Sequence, residues 1–586
     1  MRIIRYTFNT GIGLLLAALF SFSVTPAKGQ TPEQFFKASG TPVNPKVQIV
    51  WNRYYTNEGL LEIYRELVKA HPTLVKLESI GQSYENRDIW VLTVTNFDNR
   101  PHGEKPGFWI DGNIHANEIQ GSEIALYTVW YLAENYGKNA FITELMDDKV
   151  FYIAPSINPD GRHNYMHEPN TVNTPRSGTI PLDDDGDGIA SEDGFDDLNN
   201  DGHITQMRRR SELGQYREDA DDPRMLIPVR PGEKGEFELL GWEGIDRDGD
   251  GKINEDRTGY YDPNRDWGWN WQPDYVQRGA YHFPFALPEN KAVRDFVISR
   301  PNIAGAQSYH NFGGMILRGP GASEDEHRMR PADRRVYDAI GEHGDKLLPG
   351  YRYMILFQDL YTVYGGQIDW FHFNRGIYTF TNELMSNYLL FYEQYESRNA
   401  GQKAQYAFDK YLLFEDAFVQ WEKFNHPQFG EIEIGGFKKN FGRIHPGFLF
   451  EQDAHRNMAF TLHHAYHTPK LDIHEFTVTD IGGGLKEVTI VVSNSRLIPT
   501  HSGIDIENNI ERPDYITLEG GNVIAGMVVH NIDLKVAEEQ LINPSRMEVA
   551  NIPGMGHVTL RWIVEGGRQF TVTIDSAKGG KFSRSF

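Results

Sequence analysis

Phe108-Trp109-Ile110-Asp111-Gly112-Asn113-Ile114-His115-Ala116-Asn117-Glu118, running on into the largely apolar stretch Ile119–Tyr136, is the segment on which the reading of this chain turns. Phe108–Ile110 reads as a short buried strand and Ile119–Tyr136 as a helix, with a Gly-Asn turn between them. A strand passing through a turn into a helix is the building unit of α/β domains. The same alternation extends outward from about Val43 to Leu384. Leu60, Leu61, Tyr64, Leu67 and Val68 recur at helical spacing behind the capping candidates Thr56 and Asn57. Short apolar runs follow at Ile89–Val94, Val150–Ala154, Ile303–Ala306 and Ile377–Phe380, separated by helical stretches such as Pro288–Ser299 and Ala332–Leu348. Buried strands alternating with amphipathic helices predict an α/β domain with a mixed sheet. A last helical stretch, about Gln405–Phe424, closes it.

Beyond about Leu471 the texture changes. His474–Val478, Glu487–Val492, Val558–Val564 and Phe570–Ile574 alternate like strands, with Gly, Pro and Asn between them. This predicts a small C-terminal β-sandwich over residues 471–586. The expected organisation is a signal peptide at 1–29, a catalytic domain at 43–430, a helical connector at 431–470 and the sandwich. Arg2 and Arg5, the apolar run Gly11–Val24 and the small-residue site Ala27-Lys28-Gly29 make the signal, so the expected destination is periplasmic or extracellular. The run is short for a bilayer span, and no other segment approaches membrane length. A net charge of −23 argues against a nucleic-acid partner, because phosphate binding needs a basic surface. The chain has no cysteine, which leaves His, Asp and Glu to bind any metal.

Within an insertion at about 180–257, three Asp-rich loops resemble the first half of a calcium-binding loop. They are Asp183-x-Asp185-x-Asp187-Gly188, Asp197-x-Asn199-x-Asp201-Gly202 and Asp246-x-Asp248-x-Asp250-Gly251. Where a bidentate Glu should close each loop stand Gly194, Arg208 and Arg257, with Glu192, Asp193, Glu255 and Asp256 as neighbouring substitutes. Calcium is expected here in an ordering role.

His115 and Glu118, three residues apart at a turn, can converge on one zinc, which then needs a third N or O ligand and an open position for water. Further along come Asn158-Pro159-Asp160-Gly161, Asp262-Pro263-Asn264-Arg265, Ser308-Tyr309-His310, and a segment from Tyr361 through Gly365-Gly366-Gln367-Ile368-Asp369-Trp370 to Glu383. In this order and spacing the chain resembles the carboxypeptidase A-like zinc carboxypeptidases over about Val43–Leu384. The resemblance implies a mixed sheet of eight-stranded type flanked by helices. It implies His115, Glu118 and His310 as zinc ligands, Asp262 as the carboxylate orienting the first His, and Glu383 as the general base. Asn264 and Arg265 would grip a substrate's terminal carboxylate, Tyr361 would close over it, and Ile368 would read the departing side chain, pointing to apolar or aromatic C-terminal residues. The family's oxyanion-stabilising Arg is expected at Arg208, with Arg209, Arg210 and Arg162 as alternatives. Asn117 stands where digestive members carry Arg.

The implied activity is removal of C-terminal residues from peptides with a free C-terminus. Two alternatives stay open: a zinc amidase acting on a cell-wall peptide or another carboxylate-bearing amide, and a binding protein on a peptidase fold. No Gly-x-Ser-x-Gly, Walker loop or His-Glu-x-x-His supports a rival hydrolase chemistry.

Overall fold

The strand-turn-helix unit at Phe108 sits at the centre of the computed structural model, which describes residues 38–183, 188–191, 193–255 and 261–586. The expected signal peptide and the residues Asp185, Asp187, Glu192, Asp256 and Arg257 lie outside the described residues. Val47–Phe586 forms one compact unit.

Its heart is an eight-stranded mixed sheet built from β1 (Val75–Gln82), β2 (Asp88–Val94), β3 (Gly107–Gly112), β4 (Val150–Ala154), β5 (Ile303–Asn311), β6 (Met315–Arg318), β7 (Arg352–Ile355) and β8 (Tyr378–Leu384). Their order across the sheet is β1-β2-β4-β3-β5-β8-β6-β7. The four central strands β4, β3, β5 and β8 run parallel, and the neighbours β2 and β6 pair antiparallel to them. β3, β4 and β5 are buried along their whole length, as strands covered on both faces must be. In open α/β sheets, ligands bind beyond the carboxyl ends of such strands. His115 follows β3, His310 is the penultimate residue of β5, and Glu383 is the penultimate residue of β8, directly paired with His310.

Helix Gln120–Asn135 is buried on every face. One side packs on the sheet, and the other is covered by helix Gly447–Tyr466. Its polar groups are accordingly partnered: Glu123 with Arg162 at 2.6 Å, Gln120 with Asp453 at 2.7 Å, and Glu134 with His71 at 2.9 Å. The expected connector at 431–470 is thus corrected. It holds a strand and a helix that complete the catalytic core.

The stretch expected as helix Gln405–Phe424 is also corrected: helix Arg398–Leu412 ends and strand Phe418–His426 follows. That strand pairs with Gly430–Phe437, which pairs in turn with Gln206–Arg210 of the Asp-rich insertion. The result is a second, six-stranded antiparallel sheet, four short strands from the insertion and two from a hairpin some 200 residues later. Its small core is Met207, Ile432 and Ile434, with Leu198 and Ile253 from the acidic loops packed against it.

The C-terminal sandwich is present as expected. A five-stranded and a four-stranded antiparallel sheet bury Val488, Ile490, Val492, Ile516, Leu560, Trp562, Val572 and Ile574 between them. Its connection to the catalytic part is firm. Ile498 and Ile504 join the core of Ile316, Tyr337 and Phe380, and Lys578 donates to the carbonyls of Arg375 and Gly376 and to Asp505.

Candidate functional site

The turn after β3 is forced by close packing. A Cβ on Gly112 would lie 2.6 Å from the backbone of Gly121 at the start of the buried helix, so only glycine fits. Asn113 then takes a left-handed conformation (φ 58°), and its side-chain amide donates to the carbonyls of His115 and Ala116 at 2.7 and 3.2 Å. Asn158, the N-cap of helix Pro159–His167, donates to Ile114 O at 2.9 Å and Ser177 O at 3.2 Å. These bonds fix the loop carrying His115 and Glu118. A second brace is Asp111, which accepts from Trp109 Nε1, Ser308 Oγ and Gln367 Nε2 at 2.5, 2.5 and 2.8 Å. It ties β3 to β5 and to the segment beside Asn264.

His115 Nδ1 lies 2.9 Å from Glu118 Oε2, His310 Nδ1 lies 3.1 Å from the same oxygen, and the two Nδ1 atoms are 3.2 Å apart. All three side chains are buried. Three donors bound to one zinc at about 2.0–2.2 Å would stand about 3.3 Å from one another, so the set fits zinc. Glu118 Oε2 is buried without a well-formed hydrogen bond, which the cation would supply. His115 Nε2 meets Asp262 Oδ1 at 2.9 Å, the carboxylate–imidazole pairing that orients a metal-binding His. Burial raises the Glu118 carboxyl, but His115 and His310 outweigh it and hold it well below the usual range. Asp262 is likewise held low against its burial by Arg265, Arg176 and His115.

Glu383 is pushed up to about 7, by burial first and then by the Glu118 charge, with His310, Arg176 and Arg443 pulling the other way. Asn264 and Arg265 follow Asp262 on a short turn. Arg265 is 7% exposed, donates to Asn264 O at 2.7 Å, and keeps a buried Nε with no partner among the described residues. Asn264 Oδ1 accepts from Gln367 N at 2.8 Å. Tyr361 is 48% exposed, on the turn after residues 356–360, close enough to Arg176 to act on its charge. Ile368 is buried against Leu317, Leu356 and Val363.

Arg208 is not part of this constellation. It lies in the second sheet, bonded to Glu433 at 2.6 Å and Glu218 at 3.0 Å, its guanidinium over Phe237 and Trp421. Arg209 and Arg210 face Glu238 and Glu236 there, and Arg162 is fully buried against Glu123. The arginine the structure brings to the cluster is Arg176. Its Nε meets Asp262 Oδ2 at 3.2 Å and its Nη1 meets Glu118 Oε1 at 3.1 Å. Burial lowers its affinity for a proton, but Asp262, Glu118, Tyr361 and Glu383 more than reverse this. Arg176 stands before the acidic insertion, in Thr174-Pro175-Arg176, where a search after the insertion's start misses it. Arg443 also reaches Glu118, and nothing in the motif order points to it.

In the Asp-rich loops, Gly188, Gly202 and Gly251 N–H groups each donate to the first Asp of their loop, Asp183, Asp197 and Asp246, at 2.9, 2.8 and 3.0 Å. Asp246, Asp248 and Asp250 gather their oxygens within 4.8 Å, as do Asp193, Asp248 and Glu255. Asp193 and Glu255 are two of the expected substitutes for the missing twelfth-position ligand. Asn199 and Asp201 accept backbone N–H groups within their own loop.

Residues 60–209 and 244–406, more than half of the chain, match the family described as zinc carboxypeptidase. Residues 470–586 match a family described as a domain of unknown function. Carboxypeptidase D of Rattus norvegicus is 37% identical over 122 residues, 21% of this chain and 9% of the relative. Carboxypeptidase A1 of Sus scrofa is 25% identical over 347 residues, 56% of this chain and 62% of the relative. The matches therefore span less than two thirds of either relative. Among solved structures, carboxypeptidase A from Helicoverpa armigera shares 17% identity with a TM-score of 0.38, covering 62% of this chain and 73% of that one.

Proposed function

The chain belongs to the zinc carboxypeptidase family, and from that premise we propose that it is a zinc-dependent metallocarboxypeptidase releasing the C-terminal residue of peptides with a free carboxylate. The observation that carries this reading is the convergence of His115 Nδ1, Glu118 Oε2 and His310 Nδ1 at the strand ends, with Glu383 paired beside His310.

Zinc held by His115, Glu118 and His310 would supply a Lewis acid for the scissile carbonyl and lower the pKa of bound water to about 7. Glu383, itself near 7, takes the proton of the attacking water and returns it to the departing amine. Arg176 extends donors towards the oxygen that becomes negative. Arg265, with its unspent Nε, and Asn264 receive the terminal carboxylate, which confines the reaction to chain ends. Tyr361 closes over the bound terminus. The apolar walls Ile368, Leu317, Leu356 and Val363 favour apolar or aromatic terminal residues.

Two further readings accompany this one. The paired acidic loops bind calcium, supported by the two converging carboxylate groups. The chain is exported, supported by the composition of residues 1–29; among the described residues no helix is long and apolar enough to cross a membrane.

The test is release of C-terminal amino acids from a peptide panel by native, zinc-stripped, zinc-restored and Glu383→Gln protein. Release requiring zinc and Glu383, and lost when the peptide is C-terminally amidated, is expected. Bound zinc with release only from cell-wall peptides would replace the general carboxypeptidase by the specialised amidase. A chain that binds no zinc and releases nothing would refute the reading.

A further inference from the structure

One side chain from outside the family-matched residues enters the three-donor cluster. Arg443 lies between the strand ending at Phe437 and the helix starting at Gly447, beyond the last matched residue, 406. Its loop is pinned to the catalytic core at both ends. Tyr165 Oη donates to Lys439 O at 2.5 Å, Lys439 Nζ donates to Tyr165 O at 2.6 Å, and Tyr54 Oη donates to His445 O at 2.8 Å. His445 N in turn donates to Gln120 Oε1 at 3.0 Å.

The Arg443 guanidinium is almost fully committed. Nε donates to Val172 O at 3.1 Å, Nη2 to Asn173 Oδ1 at 2.9 Å, and Nη1 both to Asn311 O at 2.8 Å and to Glu118 Oε1 at 3.4 Å. Four of its five N–H bonds thus end on fixed protein atoms. Little is left for a substrate, and the residue is 8% exposed.

The two oxygens of Glu118 have different company. Oε2 faces the Nδ1 atoms of His115 and His310, at 2.9 and 3.1 Å. Oε1 is met by Arg176 at 3.1 Å and Arg443 at 3.4 Å. Two guanidinium groups on Oε1 hold the carboxylate in one orientation, with Oε2 towards the two imidazoles. The same Nη1 of Arg443 also holds the carbonyl of Asn311, the residue after His310. It therefore couples the chain segments that carry two of the three donors.

We propose that Arg443 is a positioning residue that fixes the orientation of Glu118 and locks it to the His310 strand, so that the segment after the family-like domain completes the metal centre. This rests on the zinc reading above. The Arg176 side chain is one-third exposed, whereas that of Arg443 is 10% exposed.

The experiment measures zinc affinity of the full chain by chelator competition, and the visible absorption of the cobalt(II)-substituted protein, for wild type, Arg443→Ala and Arg443→Lys. Loss of an outer-shell partner of a metal ligand costs about 10–100-fold in affinity, and that loss is expected for Arg443→Ala. Its cobalt spectrum should shift as Glu118 loses its fixed orientation at the metal. Arg443→Lys, which keeps the charge and one bond to Asn311 O, should recover part of the affinity. Wild-type zinc affinity and an unaltered cobalt spectrum in Arg443→Ala overturn the proposal. Should Arg443→Ala fail to fold, Asn173→Ala, which frees Nη2, takes its place: weakened zinc binding supports the proposal and unchanged binding overturns it. Wild type that binds no zinc would remove the zinc reading itself, whereas tight wild-type binding shared by the variants removes only the role of Arg443.

Discussion

Replacing Arg176 by Ala, with Arg208→Ala beside it, separates the arginine at the cluster from the one that sequence order favours. Arg176 spends Nε on Asp262 and one Nη1 bond on Glu118, so three of its five N–H groups have no hydrogen-bond partner among the described residues. Those remaining donors belong to a guanidinium close enough to Tyr361 and Glu383 for both to act on its charge. Removing one donor to a developing oxyanion costs about 2.7–4 kcal/mol, or about 10²–10³ in kcat. Arg176→Ala should therefore lose kcat by that factor at saturating zinc, with a smaller change in KM. Arg208 is buried over two rings and bonded to two part-exposed acids, and losing such charge-assisted bonds costs about 1.5–3 kcal/mol of stability. Arg208→Ala should lower the denaturant midpoint and leave kcat of the folded protein unchanged. The assay is steady-state hydrolysis of a peptide with a free C-terminus, paired with urea unfolding of each variant. A near-native kcat for Arg176→Ala, or a hundredfold loss for folded Arg208→Ala, would refute the reasoning.

Glu383→Gln should bind zinc as wild type does while abolishing release, because the amide fills the same space and cannot take the proton; loss of zinc from this variant would recast Glu383 as part of the metal site. His501 meets Asp505 and Asp514 at 3.1 and 3.3 Å at the junction of the sandwich, and these partners outweigh burial to raise it to about 9. A folded-state value above the ordinary 6.5 stabilises fully below about pH 6.5 and is lost as pH rises through about 9, a contribution of up to about 3 kcal/mol. Asp505 is held low against its burial by Lys578 and His501, so its contribution is present above its ordinary range and lost on acidification. Thermal melts at pH 6 and 9.5, as about the two ends of that window, should show a drop in wild type that His501→Gln abolishes; parallel drops in both would exclude this cluster as the cause. Calcium should raise the melting temperature of chelator-treated protein, and Asp248→Asn, which removes a carboxylate shared by both converging groups, should cancel the rise; identical melting with and without calcium would exclude a stabilising ion.

The candidate metal donors and the proposed base could be read in the sequence because local structure decides where they go. His115 and Glu118 lie on one turn, and His310 and Glu383 end adjacent strands in direct register, so motif order and strand ends place them together. The position of Arg208 was not legible, for a non-local reason. Strand Gln206–Arg210 is recruited by Gly430–Phe437, a hairpin strand more than 200 residues further on, and no local spacing announces that pairing. Helix Gly447–Tyr466 reads as a connector for the same reason: the surface it buries belongs to helix Gln120–Asn135, whose largely apolar residues on both faces already required a cover that the motif-bearing segment does not provide. The same long-range packing that hides those elements from a sequence reading also delivers Arg443 to Glu118. Motif order thus points to the candidate donors of such a centre, whereas groups that brace them come from wherever the core is closed. In this chain that closure is made by residues 430–466, which pack onto the strand-turn-helix unit before the first strand of the sandwich begins at Leu471.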